Sequence, residues 1–220
     1  MDYLELWTIC SANGIMLSKE QIDKIERYVN DLVYWNEKVN LISRKDFYRV
    51  IENHILHSLA LLKYYDIKNK ARVLDVGTGA GLPGIPLKIA RPDIFITLID
   101  SVKKKIKIVE MFAQHTGERN ISVINSRAEE LYKINGMKNK FDLIVARAVA
   151  SMSNVIAWTK KIRKPRADIV FYKGGDIDDE IKQAKIENRN LNISVVDIDI
   201  VGEETFKKNN KKLVICKFGE

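Results

Sequence analysis

Val73-Leu74-Asp75-Val76-Gly77-Thr78-Gly79-Ala80-Gly81-Leu82-Pro83-Gly84 is the stretch that decides the fold of this chain. An apolar strand runs straight into a turn that holds four of the eleven glycines. Glycines in such a turn permit positive φ and let backbone approach a ligand closely. Gly79, Gly81 and Gly84 satisfy G-x-G-x-x-G, a spacing shared with dinucleotide-binding proteins. Asp75 separates the two possibilities. A carboxylate at the mouth of the strand repels a pyrophosphate, whose usual place is the N-terminus of the next helix. It suits a cofactor whose tail carries an ammonium, as S-adenosylmethionine does.

Outward from that turn, short apolar runs alternate with amphipathic stretches. The runs fall at 72–76, 94–99, 121–124, 143–146 and 168–172, and the stretches at 85–90, 102–115, 128–132, 153–162 and 177–186. This alternation predicts an α/β fold, a doubly wound Rossmann-like parallel sheet with helices on both faces. Two final runs, 193–200 and 212–217, have no convincing helix between them. They predict an antiparallel C-terminal hairpin, which class I methyltransferase sheets have and ordinary dinucleotide-binding sheets lack. Residues 1–66 read as helical: Ser18 and Gln21 form a capping box, and Ile22, Ile25, Val29 and Leu32 line one face. A second helical pattern runs from about 45 to 65. The expected organisation is an N-terminal helical extension, 1–66, followed by a methyltransferase domain, 67–220.

In such a sheet the ligand lies beyond the carboxyl ends of the strands. The first strand end supplies Asp75, Gly77, Gly79 and Gly81, with Leu82 as an apolar contact. The second supplies Asp100, nineteen residues beyond Gly81, where a carboxylate can accept both hydroxyls of a ribose. Asp100 is also a good helix N-cap, although Ser101 could fill that role, and it does not separate adenosylmethionine from NAD. The third is followed by Arg127-Ala128-Glu129-Glu130, an acidic helix start that the helix dipole alone explains. The fourth and fifth end in Arg147 and Lys173, two cations on one crescent. After the fourth strand the Asn/Asp-Pro-Pro-aromatic segment of exocyclic-amine methylation is missing. Neither Cys10 nor Cys216 lies where a thiolate nucleophile for pyrimidine carbon would be needed. An endocyclic purine nitrogen requires neither device, and alignment with the methyl group can supply most of the catalysis. Arg147 and Lys173 are then expected to position the target base without a general base. His54 and His57, three apart on a helix, lack a third ligand and read as structural, so no metal is expected.

The charge balance is 37 Lys+Arg against 29 Asp+Glu, a net +8. Such an excess suits a phosphate backbone and equally suits solubility. It clusters at Lys103–Lys105, at 160–166 and at 207–212. Lys103, Lys104 and Lys105 open a predicted helix, where the dipole disfavours cations, and an external anion such as RNA accounts for them better than helix stability does. No apolar run approaches a membrane span of ~20 residues, and Met1–Glu5 lacks the basic start of a signal peptide. Two distant cysteines form no disulfide framework. These features predict a cytoplasmic monomer with no membrane partner.

Together these segments resemble the bacterial small-subunit (16S) ribosomal RNA guanine-N7 methyltransferases, the glucose-inhibited division protein B family. The matching parts are Trp35-Asn36-x-Lys38-x-Asn40-Leu41-Ile42-Ser43, His54-Ile55-Leu56-x-Ser58, Asp75 through Leu87, Leu98-Ile99-Asp100-Ser101, Arg127-x-Glu129-Glu130, Ala146–Ala150 and Lys173-Gly174. The resemblance implies S-adenosyl-L-methionine as cofactor and ribosomal RNA, or a small-subunit precursor, as partner. It implies cofactor contacts at Gly77, Leu82, Ala128, Glu129 and Arg147, and places Lys173, Asn40 and His54 toward the RNA or the target base. The family usually has an acidic residue at the position of His57, which therefore receives no role. The competing readings are an NAD-dependent oxidoreductase, a non-enzymatic RNA-binding protein of ribosome assembly and a small-molecule methyltransferase.

Overall fold

The computed structural model describes residues 1–219, with all side chains except those of Arg44, Lys45 and Phe47. Two helices open the chain, α1 (Tyr3–Ala12) and α2 (Lys19–Asn36). The Ser18 hydroxyl accepts from Gln21 N–H while the Gln21 side chain accepts from Ser18 N–H, closing the capping box that starts α2. A 3-10 turn, Arg44–Arg49, leads into a π-helical segment, Ile51–Leu56, and the short helices α3 (His57–Leu59) and α4 (Leu61–Tyr64). The alternating part follows as β1 (Arg72–Val76), α5 (Gly84–Ala90), β2 (Phe95–Asp100), α6 (Lys103–His115) and β3 (Ile121–Asn125). After a 3-10 segment, Ala128–Lys133, come β4 (Phe141–Arg147), α7 (Met152–Thr159), β5 (Arg163–Gly174) and α8 (Asp178–Glu187). The chain closes with β6 (Leu191–Asp197), α9 (Thr205–Lys208) and β7 (Lys211–Phe218).

The seven strands lie in the order β3-β2-β1-β4-β5-β7-β6. β1 to β5 run parallel, and β7 is antiparallel to both β5 and β6. β1 sits where the strand order reverses, so a crevice opens at its carboxyl end. The period of two along each strand divides the core into two layers. Leu143 and Val145 of β4, with Leu213 and Ile215 of β7, face one layer; Ile144 and Ala146, with Val214 and Cys216, face the other. The first layer is shared with Leu6, Ile25, Tyr28 and Leu32 of the opening helices. Residues 1–66 thus cover one face of the sheet rather than standing apart from it.

Several elements differ from the sequence reading, among them the helix expected at 128–132, which is the 3-10 segment Ala128–Lys133. The single helix expected at 45–65 is broken into 3-10, π and α turns, because carbonyls of the π segment bond to Arg147 across the cleft. β5 starts at Arg163, upstream of its apolar run, and a register shift between Phe141 and Leu143 accommodates the extra length. The connection before β7 holds α9, anchored by Phe206 at 2% exposure.

Gly84 marks the closest approach of helix to sheet. A methyl group there would overlap Leu98 Cδ2 and come within 2.7 Å of Asp75 Oδ2. Gly84→Ala is expected to destabilise the fold by about 1–3 kcal/mol, the usual cost of overpacking. Urea denaturation checks this, and an unchanged midpoint contradicts it.

Candidate active site

The turn after β1 is built on a buried carboxylate. Asp75 is fully buried; its Oδ2 accepts the Thr78 hydroxyl at 2.6 Å and the Gly84 N–H at 2.9 Å. Its Oδ1 has no hydrogen-bond partner among the described residues. Burial pushes the Asp75 carboxyl up to about 7. Asp75 does not line the cavity above it. The reason is strand parity: Asp75 shares a face with Val73, pointing beneath the turn at α5. The expected direct contact with a cofactor ammonium is replaced by bracing of the turn.

A cavity of about 480 Å³ opens at the carboxyl ends of β1, β2 and β4. Its wall brings together Gly77, Gly79, Leu82, Asp100, Ala128 and Glu129, residues that are separated by up to 52 positions in the chain. Gly79 is the point of closest access: its φ is +58°, and the nearest atom to a Cβ built there is the Gly77 carbonyl at 3.9 Å. Gly77, by contrast, is pressed by Val149, 2.5 Å from such a Cβ. Gly81 faces Ile85 and lies outside the wall. Asp100 is 9% exposed; Oδ2 accepts Gly79 N–H at 3.0 Å and Oδ1 accepts Val102 N–H at 2.8 Å. Asp100 thus braces the backbone ahead of α6, whose N-cap is Val102, without capping the helix itself, and ligand binding stays open because each carboxylate oxygen keeps a second lone pair.

Arg147 stands at the far wall, where a second cavity of about 550 Å³ adjoins the first. Its guanidinium donates to the Asn53 carbonyl at 3.2 Å, to the His54 carbonyl at 3.5 Å and to His54 Nδ1. Arginine only donates, so His54 must be the tautomer with Nδ1 bare. Burial, reinforced by the charge of Arg147, lowers His54 to about 4, so the ring is neutral. His57 is held well below the usual range by burial as well. It packs edge-on to Tyr172, with ring centroids 5.3 Å apart. Lys173 lines the second cavity and pairs with Glu180 at 2.7 Å.

The family model for rRNA small subunit methyltransferase G matches residues 21–211. A ribosomal RNA small subunit methyltransferase G of Chlorobium phaeobacteroides is 39% identical over 180 residues, 82% of this chain and 79% of the relative. That of Chlorobaculum tepidum is 34% identical over 212 residues, 96% and 95%. The chain belongs to the rRNA small subunit methyltransferase G family. Its fold is also that of a solved SAM dependent methyltransferase from Aquifex aeolicus, with a TM-score of 0.54, 18% identity and coverage of 76% of this chain and 91% of that one. Membership in the methyltransferase G family removes the oxidoreductase and non-enzymatic readings.

Several residues of this methyltransferase G site carry no obvious signal in isolation. Leu41 and Ile42 line the first cavity, while the expected RNA contact Asn40 is exposed beside them. Their loop is held by Asn36 Oδ1, which accepts both backbone N–H groups at 2.8 and 2.9 Å. His54 lines both cavities. Of the lysine run, only Lys105 reaches the wall; Lys103 and Lys104 are exposed next to it.

The raised Asp75 carboxyl has a consequence for stability. The unfolded chain releases this proton near pH 4, whereas the folded chain keeps it until about 7. Its contribution is therefore fully present below pH 4 and is lost as pH rises through 7, by on the order of 4 kcal/mol. Asp75→Asn, which keeps an acceptor for Thr78 and Gly84, is expected to flatten that decline. Denaturant midpoints at pH 5 and 8 measure it, and equal slopes in the two proteins contradict it.

Proposed function

We propose that this chain transfers a methyl group from S-adenosylmethionine to N7 of one guanine in small-subunit (16S) ribosomal RNA. The observation that carries the reading is the junction of two cavities at Arg147 and His54, one floored by the glycine turn and Asp100, the other flanked by Lys173. The first has the size of an ordinary small-molecule site, and its donor set fits the cofactor. Gly79 leaves open space where any side chain would intrude, and Asp100 offers free lone pairs to a pair of hydroxyls. Gly77, Gly79, Leu82, Asp100, Ala128 and Glu129 are the residues that would hold it. When bound, S-adenosylmethionine supplies a methyl group on a sulfonium, which an endocyclic nitrogen lone pair can take with no proton to remove.

The chain's own work is then placement. Arg147 ties the N-terminal segment to β4, so the wall between cofactor and base is set by hydrogen bonds rather than by a loop. Both imidazoles nearby are neutral and supply no charge. This fits a reaction that needs no general base. Lys105 at the mouth, with Lys103 and Lys104 beside it, is placed to meet phosphates. A ribosomal RNA substrate is consistent with a cytoplasmic setting.

Incubation with methyl-labelled cofactor and unmodified small-subunit RNA, followed by mass mapping, tests the assignment. Label confined to 7-methylguanine is expected, and label on another atom overturns it. Asp100→Ala is expected to weaken cofactor binding tenfold or more, given about 1.5–3 kcal/mol for a charge-assisted hydrogen bond. Isothermal titration reads this, with denaturation as the folding control. For the phosphate contacts, Lys103→Ala/Lys104→Ala should make RNA affinity fall less steeply with salt, each lost contact reducing the slope by about 0.7–0.9. Cofactor affinity should be unaltered, since neither lysine lines the cavity. An unchanged salt slope moves the RNA surface elsewhere.

A further inference from the structure

Three cations line the second cavity, and two are already engaged. Arg147 directs its N–H groups at Asn53, His54 and the His54 ring. Lys173 Nζ is paired with Glu180 Oε1 at 2.7 Å and donates to the Ala150 carbonyl at 3.3 Å. Lys211 Nζ has no hydrogen-bond or ion-pair partner among the described residues, although the side chain is half-buried. Its stem is held in place. The antiparallel register sets Lys211 opposite Gly174, and Lys211 Cδ lies 3.4 Å from where a Gly174 Cβ would stand. The ammonium is close enough to the cavity's imidazoles that its charge helps keep both His54 and His57 neutral. Asn209 and Phe206 complete that side.

A purine whose N7 faces the first cavity presents its C6 substituent beside N7 on the same edge. Guanine places the acceptor O6 there, and adenine places an amino donor. An ammonium has three donors and no acceptor. It therefore bonds the one and rejects the other while leaving N7 free. We propose that Lys211 reads O6 of the target purine and so restricts the methyl acceptor to guanine, a role that rests on the methyl-transfer reading above. A fixed cation beside N7 also opposes the positive charge that methylation places on the ring. Lys211 accordingly serves selection and binding, not rate.

The test uses the full chain as wild type, Lys211→Met, Lys211→Arg and Lys217→Met, the last altering an exposed lysine near the other end of β7. The modified guanine is mapped with the wild type, and a second RNA carries adenine at that position. Lys211→Met is expected to lower the guanine-over-adenine ratio of kcat/KM at least tenfold, within the range for one base-edge contact. It should raise the half-saturating RNA concentration at least fivefold and leave the saturating single-turnover rate within threefold. Lys211→Arg should recover both values to within threefold, and Lys217→Met should match wild type. The salt slope of RNA affinity should be unchanged in Lys211→Met. An unaltered guanine-over-adenine ratio overturns the proposal. A shallower salt slope with that ratio intact overturns it too, by putting Lys211 on a phosphate. Weakened cofactor binding or a lowered Tm that arginine fails to restore assigns the residue a structural role, which also overturns it. Failure of the wild type to methylate any small-subunit RNA would instead remove the methyl-transfer reading, a result distinguishable from all of these.

Discussion

One buried carboxylate joins the three elements on which the cleft depends. Asp75 belongs to β1, accepts a hydroxyl from the turn and accepts the first N–H of α5. Without it the base of the turn would lose its tie to α5, leaving backbone bonds such as Thr78 N–H to the Ile99 carbonyl, the Gly79 N–H bond to Asp100 and the Tyr28 hydroxyl bond to the Ala80 carbonyl. The arrangement is costly, since burial disfavours the charge and one oxygen stays without a partner. Sheet and helix must approach closely enough at Gly84 for the other oxygen, Oδ2, to accept its N–H. The position of Gly79 above the turn, and with it the floor of the first cavity, follows from this brace.

Much of this was legible in the chain. β1, β2, β4 and the end of β5 announced themselves because strands buried on both faces read as continuous apolar runs, and Asp100 and Arg147 were placed by standing at the ends of β2 and β4. Asp75 was visible, but its direction was not: the alternation gives two faces without saying which one α5 covers. The segment between α2 and β1 misled for a different reason. Its apolar spacing is helical, yet its backbone is bent by hydrogen bonds to an arginine nearly a hundred residues away. Lys164-Pro165-Arg166 hid the beginning of β5, since polar residues on an extended strand resemble a loop. Lys211 gave no local signal at all. In Lys211-Lys212 it looks like a solvated pair, and only the register with β5 turns one of the two toward the cleft.

The opening helices do more than cover a face. They deliver Leu41, Ile42 and His54 to a site whose other walls come from the sheet, and Arg147 locks the two together. A π-helical turn is a natural way to provide those contacts, because it widens the backbone and releases carbonyls from their usual partners. The boundary near residue 66 is therefore a change in sequence rhythm, not a seam in the structure.

The position of β7 bears on how the molecule comes into being. It is the last strand in the chain, yet it lies between β5 and β6. Until it emerges, β5 presents an unpaired edge and β6 has no neighbour in the sheet. During synthesis the parallel strands can assemble in sequence, but β6 waits for a segment made after it. The last two strands of the sheet can pair only once β7 has been made, and the β5–β7 pairing is distant along the chain and correspondingly slow. A nascent chain can thus possess the glycine turn and Asp100 while the second cavity does not yet exist.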